Sequence, residues 1–176
     1  MVKFQRLLPM LAVLLISGGC SMKIHKDYAF TSPEHPLGTG KINAKLRGTQ
    51  ENLENDVSVN HAPYEMLLWF SVDHVDSPAD CLVAISSVSL KNLETGEYVP
   101  IPESDSASFR QRSDGTYHAS MNYKALGLSY SDHSLQFSYT LVGMCGLVAS
   151  QASVTMNFKR DYSERKITFW DTLMGV

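Results

Sequence analysis

No run of this 176-residue chain is apolar for long enough to cross a bilayer as a helix. The best candidate is broken by Pro9 and stops at Ser17, well short of the roughly 20 residues a spanning helix needs. Basic charge is short as well: 15 Lys and Arg stand against 18 Asp and Glu, a formal charge of −3. Nucleic acid needs a basic footprint, so it is not an expected partner. Catalytic signatures are missing too. There is no G-x-S-x-G elbow, no H-E-x-x-H pair, no P-loop and no G-x-G-x-x-G, so common hydrolase and nucleotide sites have no support. Cysteine is scarce, at three residues, and no C-x-x-C pair exists to suggest a metal site. No cofactor is expected.

What is present begins at the N-terminus. Lys3 and Arg6 precede the run Leu11-Ala12-Val13-Leu14-Leu15-Ile16-Ser17-Gly18-Gly19-Cys20, and no acidic residue occurs before Asp27. A basic start, a short apolar stretch and small residues form the layout of a secretory signal peptide. The small residues followed at once by Cys20 resemble the lipobox of bacterial lipoprotein precursors, with Ser17 where that family most often has Leu. The resemblance implies cleavage before Cys20, a diacylglycerol on its sulfur and an acylated new N-terminus. It implies palmitate-type lipid, a membrane address and, from Ser21 rather than Asp after the Cys, the periplasm-facing side of the outer membrane. Ordinary cleavage after Gly19 is the alternative, since Ser17 and Gly19 are small enough for it.

The remaining cysteines follow from that reading. If Cys20 carries lipid, Cys81 and Cys145 are left as an even pair in an oxidising compartment, where disulfides persist. A Cys81–Cys145 bridge is the simplest arithmetic, and two free buried thiols are the alternative.

Residues 1–19 therefore read as a signal peptide. The 157 residues from Cys20 carry 13 basic against 18 acidic side chains, a formal charge of −5. That is one domain's length. Residues 20–40 read as a lipid-anchored tether, because Pro33, Pro36, Gly38 and Gly40 oppose regular structure. In that stretch only Tyr28 and Phe30 are large aromatics, able to dock back as an edge strand.

Residues 41–176 read as a mainly β domain. Ile42, Ala44 and Leu46 alternate with polar residues, as a half-buried strand requires. Val57 and Val59 suggest a short strand. Residues 66–72 are a nearly continuous apolar run, the pattern of a strand buried on both faces. Further strands are expected over 82–90, 98–101, 117–121, 135–141 and 152–158. Glu94-Thr95-Gly96-Glu97 and Ser113-Asp114-Gly115-Thr116 are the turn signals between them. Pro100 confines its strand to an edge. With no long amphipathic helix among these strands, the pattern is an antiparallel β-sandwich. Ser163 and the spacing of Ile167, Trp170, Leu173 and Met174 suggest a short C-terminal helix, with a final strand through residues 167–170 as the alternative.

The architecture is immunoglobulin-like at most. The 64-residue cysteine separation fits an inter-sheet bridge, but Trp69 precedes Cys81 and Gly143 stands two residues before Cys145, where that family has Tyr. Asp73-His74-Val75-Asp76 and Ser131-Asp132-His133-Ser134 carry catalytic residue types, yet triads assemble in space, so both read as polar loops. The acidic stretch at residues 51–56 lacks calcium-loop spacing and reads as solvated. The expected function is a lipid-anchored envelope protein, non-enzymatic, structural or binding an unidentified envelope protein. A carrier of a small apolar ligand or lipid, with a pocket between the sheets, is the main alternative. A periplasmic hydrolase using His74 or His133 is the second.

Overall fold

The computed structural model describes residues 23–37, 40–73, 81–132, 134–144 and 152–168, and none of these is helical. Eleven strands follow in order: β1 (Lys23–Thr31), β2 (His35–Leu37), β3 (Gly40–Leu53), β4 (Val57–Val72), β5 (Leu82–Asn92), β6 (Tyr98–Val99), β7 (Ser104–Ser108), β8 (Arg110–Gln111), β9 (Tyr117–Leu126), β10 (Ser134–Met144) and β11 (Ala152–Ile167). They hydrogen-bond in the order β6-β5-β10-β11-β1-β3-β4-β9-β8, with β2 on β3 and β7 on β5. The pairings are antiparallel except for a parallel contact of β1 with β4.

This path folds back on itself into two layers. Phe70 of β4 meets Tyr139 of β10 with ring centres 6.5 Å apart, and Tyr123 of β9 meets Phe137 of β10 at 6.5 Å. Neither pair belongs to neighbouring strands, so these rings touch across the gap between layers. Alternation supplies the rest of the core: Leu46, Met66, Leu68, Phe70, Leu135, Phe137 and Leu141 are fully buried at every second position. Burying one such side chain contributes about 1.5–3 kcal/mol. The result is the expected antiparallel β-sandwich.

Three expectations change. The first concerns residues 20–40, read as a tether. Within them, β1 lies inside the sheet, paired along its whole length with β11, and Phe30 is fully buried. The segment reads as hydrophilic because most of β1 is only half-buried, whereas Pro36 sits in β2, an edge strand that tolerates it. The second concerns Ser163, read as a helix cap. It pairs with Asp27 inside β11, and the strand continues to Ile167. Trp170, Leu173 and Met174 lie outside the described residues. The third concerns residues 66–72. One face is buried, but Leu67 and Trp69 on the other stay half-exposed.

The β3–β4 hairpin carries the main irregularity. Its register shifts between Gly48, opposite Tyr64, and Thr49, opposite His61. Two residues of β4, Ala62 and Pro63, are thereby looped out, and Thr49 Oγ1 donates to the Pro63 carbonyl at 2.9 Å. Gly48 is obligatory: a Cβ there would overlap the backbone N and Cα of His61. Below the bulge β3 borders β1, through Phe30 and Leu46; above it β4 borders β1, from Ile24 opposite Val57 to Asp27 opposite Asn60. The upper hairpin, the first half of β1 and the last half of β11 thus form an arm extending past the core. Leu53 pairs with Val57, so the turn is the three residues Glu54, Asn55 and Asp56, the last two at positive φ.

Candidate functional site

Of the residues singled out above, Cys20, Cys145, His74 and His133 lie outside the described residues. Cys81 is buried just before β5, is disulfide-bonded, and accepts a hydrogen bond at its carbonyl from the Phe109 amide. Asp132 is fully engaged in turn-building: it accepts from the Ser129 amide at 2.9 Å and from Asn92 Nδ2 at 3.1 Å. The acidic stretch 51–56 is exposed hairpin end, where Glu51 meets His61 Nε2 at 2.6 Å. Among the described residues no three His, Cys, Asp or Glu side chains gather as a metal site.

One polar cluster lies where β1 and β4 run parallel. His25 and Asp27 stand opposite Ser58 and Asn60 on the same side of the sheet. His25 Nδ1 is 2.9 Å from Ser58 Oγ. Asn60 Nδ2 donates to Asp27 Oδ1 at 3.2 Å and to His25 Nε2 at 3.3 Å. Since Nε2 accepts, the neutral ring carries its proton on Nδ1 and donates to Ser58. Nucleophilic catalysis is unsuited to this geometry. Ser58 is buried, and Asp27 reaches the imidazole only through Asn60. The cluster fastens the parallel pairing. Lys45 adds an ion pair to Asp27 at 3.8 Å.

A second cluster is aromatic. Tyr130, from the loop after β9, packs on Tyr28 at 5.0 Å and Phe30 at 5.6 Å, and Tyr28 meets Tyr162 at 4.9 Å. Arg160 lies over Tyr130, its guanidinium carbon 5.5 Å from the ring centre. Burial pushes the Tyr64 phenol up to about 12, and its hydroxyl has no hydrogen-bond partner. These contacts close the end of the core beneath the arm.

The third feature is the outer face of β3, β4 and β9. Register aligns three rows across it: Lys41–Ser71–His118, Asn43–Trp69–Ser120 and Lys45–Leu67–Asn122. Two half-exposed apolar side chains therefore sit at the centre of a polar field. Its cations are matched at the edges by Glu34, Asp27 and Glu65. The Arg47 hydrogen bond holds the Glu65 carboxyl below the usual range. Three open grooves of about 300, 390 and 380 Å³ are lined largely by polar residues on the outside of the sandwich. Leu67 and Trp69 could have been found in the sequence as the odd positions of the apolar run. Their apolar character made them look like core.

No protein family and no curated protein matches this chain. It is similar to FetP from a uropathogenic Escherichia coli strain, in the form isolated after expression in the periplasm. That likeness has 13% identity, covers 78% of this chain and 97% of the other, and has a TM-score of 0.41. A copper-bound variant of FetP gives 12% identity, 84% and 92% coverage, and a TM-score of 0.34. Likenesses of this size carry no inference about activity or ligand.

Proposed function

We propose that the protein is a lipid-anchored component of the bacterial cell envelope, acylated at Cys20, facing the periplasm from the outer membrane, and acting as a non-enzymatic protein-binding or structural module. The observation that supports it best is the distance in sequence between anchor and fold: Cys20, at the end of a signal-peptide layout, precedes β1 by three residues. The surface offered to a partner is the outer face centred on Leu67 and Trp69. Aromatic residues in such polar settings carry a large share of protein–protein binding energy.

Mass spectrometry of the mature N-terminus tests the anchor. An acylated Cys20 is expected, and Cys20→Ala should release a folded domain from membranes. An unmodified Cys20 at the mature terminus would rule the reading out. Crosslinking of the anchored protein, followed by identification of captured chains, tests the binding role.

A further inference from the structure

We infer that the tip of the arm rests on the bilayer surface, so that the sandwich stands end-on to the membrane. This inference depends on acylation of Cys20 as proposed above. Three residues at full extension cover about 11 Å, so Lys23 cannot lie farther than that from an acylated Cys20. The headgroup layer is itself several ångströms deep on each side of a bilayer, so this reach is largely used within it. The start of β1 is therefore held at the interface.

The strands carry other residues to the same place. Lys23 stands opposite Ile167, and the Ile24 amide donates to the Asp56 carbonyl at 2.9 Å, so the β1 start, the β11 end and the β3–β4 turn share one tip. That tip exposes apolar side chains. Leu53 is 48% exposed beside the turn, and Ile167 is half-exposed. Around them Lys23, Arg165 and Lys166 are exposed beside the equally exposed carboxylates of Glu54, Asp56 and Glu164, so the tip carries no net basic charge. Apolar side chains seat at the headgroup boundary, so Leu53 and Ile167 are what the tip offers the bilayer. At the other extreme lie Ala152, Val72 and the Asp114-Gly115 turn. β11 alone spans 16 residues, about 50 Å at strand rise.

The experiment places the mature lipidated protein in vesicles of phosphatidylethanolamine and phosphatidylglycerol containing a photoactivatable lipid. Adducts are mapped by mass spectrometry, and the N-terminus is analysed in the same digest. Adducts are expected on peptides holding Lys23, Leu53 and Lys166, and not on the Asp114-Gly115 turn. The exposed-site variant Leu53→Asp should lower the yield at the tip about fivefold without unfolding the domain. Acylated Cys20 with adducts concentrated on the Asp114-Gly115 turn or around Trp69 would overturn the tip contact alone. An unmodified Cys20 would overturn both the anchor and the contact.

Discussion

Val83 stands opposite Met144 across the β5–β10 pairing, at its last described position. In sequence, Cys81 lies two residues before Val83 and Cys145 one residue after Met144. Cys81 is disulfide-bonded, and we propose Cys145 as its partner. A bridge over 64 residues should stabilise the fold by roughly 4 kcal/mol through the unfolded chain. Cys81→Ser and Cys145→Ser should each lower the denaturation midpoint strongly, and the double variant no further. Non-reducing peptide mapping checks the pairing directly: a Cys81–Cys20 peptide would contradict both the bridge and the acylation.

Gly48→Ala should be among the most damaging single changes in the chain. The added methyl meets main-chain atoms of His61, which cannot swing aside as a side chain would. Overpacking of this kind costs about 1–3 kcal/mol, and more where backbone must move. Chemical denaturation should show that loss. An unaltered midpoint would mean that the hairpin is less tightly crossed.

The strands with one buried face were legible in the sequence because alternation marks them. Ile42, Ala44 and Leu46, or Leu135, Phe137, Tyr139 and Leu141, could be placed from residues alone. The arm was not legible, and the reason is physical. Residues 159–166 of β11 are exposed on both faces, so no apolar period exists to read. Their strand is held by pairing with β1 and by contacts such as Tyr28 with Tyr162. The apolar run at 66–72 misled in the opposite direction, since Leu67 and Trp69 are apolar yet face outward. His25, Asp27, Ser58 and Asn60 come together through a parallel contact that depends on the bulge at Gly48, and nothing local signals it.

Ser58→Ala should destabilise the domain by about 1–3 kcal/mol. It removes the partner of the His25 Nδ1 proton in a part-buried site, leaving a donor unsatisfied. The loss should appear as faster amide exchange over residues 24–27 and 57–60, the segment where β1 and β4 run parallel. Exchange unchanged there would show that the cluster does not hold the pairing.

Alkaline titration should separate the tyrosines. Tyr64, Tyr123 and Tyr139 are all pushed above their ordinary value by burial, Tyr64 to about 12. A phenol whose folded value is raised binds its proton more tightly in the native state. The stability it contributes is thus complete below about pH 10 and is lost as pH rises toward the folded value. Phenolate absorbance should lag in the native protein and rise abruptly on unfolding. Tyr64→Phe should flatten the alkaline decline. It should also be neutral or slightly stabilising at pH 7, because the hydroxyl it removes has no hydrogen-bond partner. A loss above about 1 kcal/mol at neutral pH would show that the hydroxyl is satisfied after all.

Trp69→Ala should separate folding from binding. Trp69 is half-exposed on the outer face, and its removal leaves Phe70 and Leu68 on the inner face in place. The core should therefore persist, with circular dichroism still strand-dominated and the cooperative unfolding transition retained. If the face formed by Asn43, Trp69 and Ser120 is where a partner docks, truncating its one large aromatic should cost about 2 kcal/mol or more of binding. That is roughly thirtyfold in affinity. Partner capture by the anchored variant should fall accordingly, while Lys124→Ala, exposed near the margin of the same face, should leave capture within about twofold. Equal capture by Trp69→Ala and the parent chain would move the binding surface elsewhere on the sandwich.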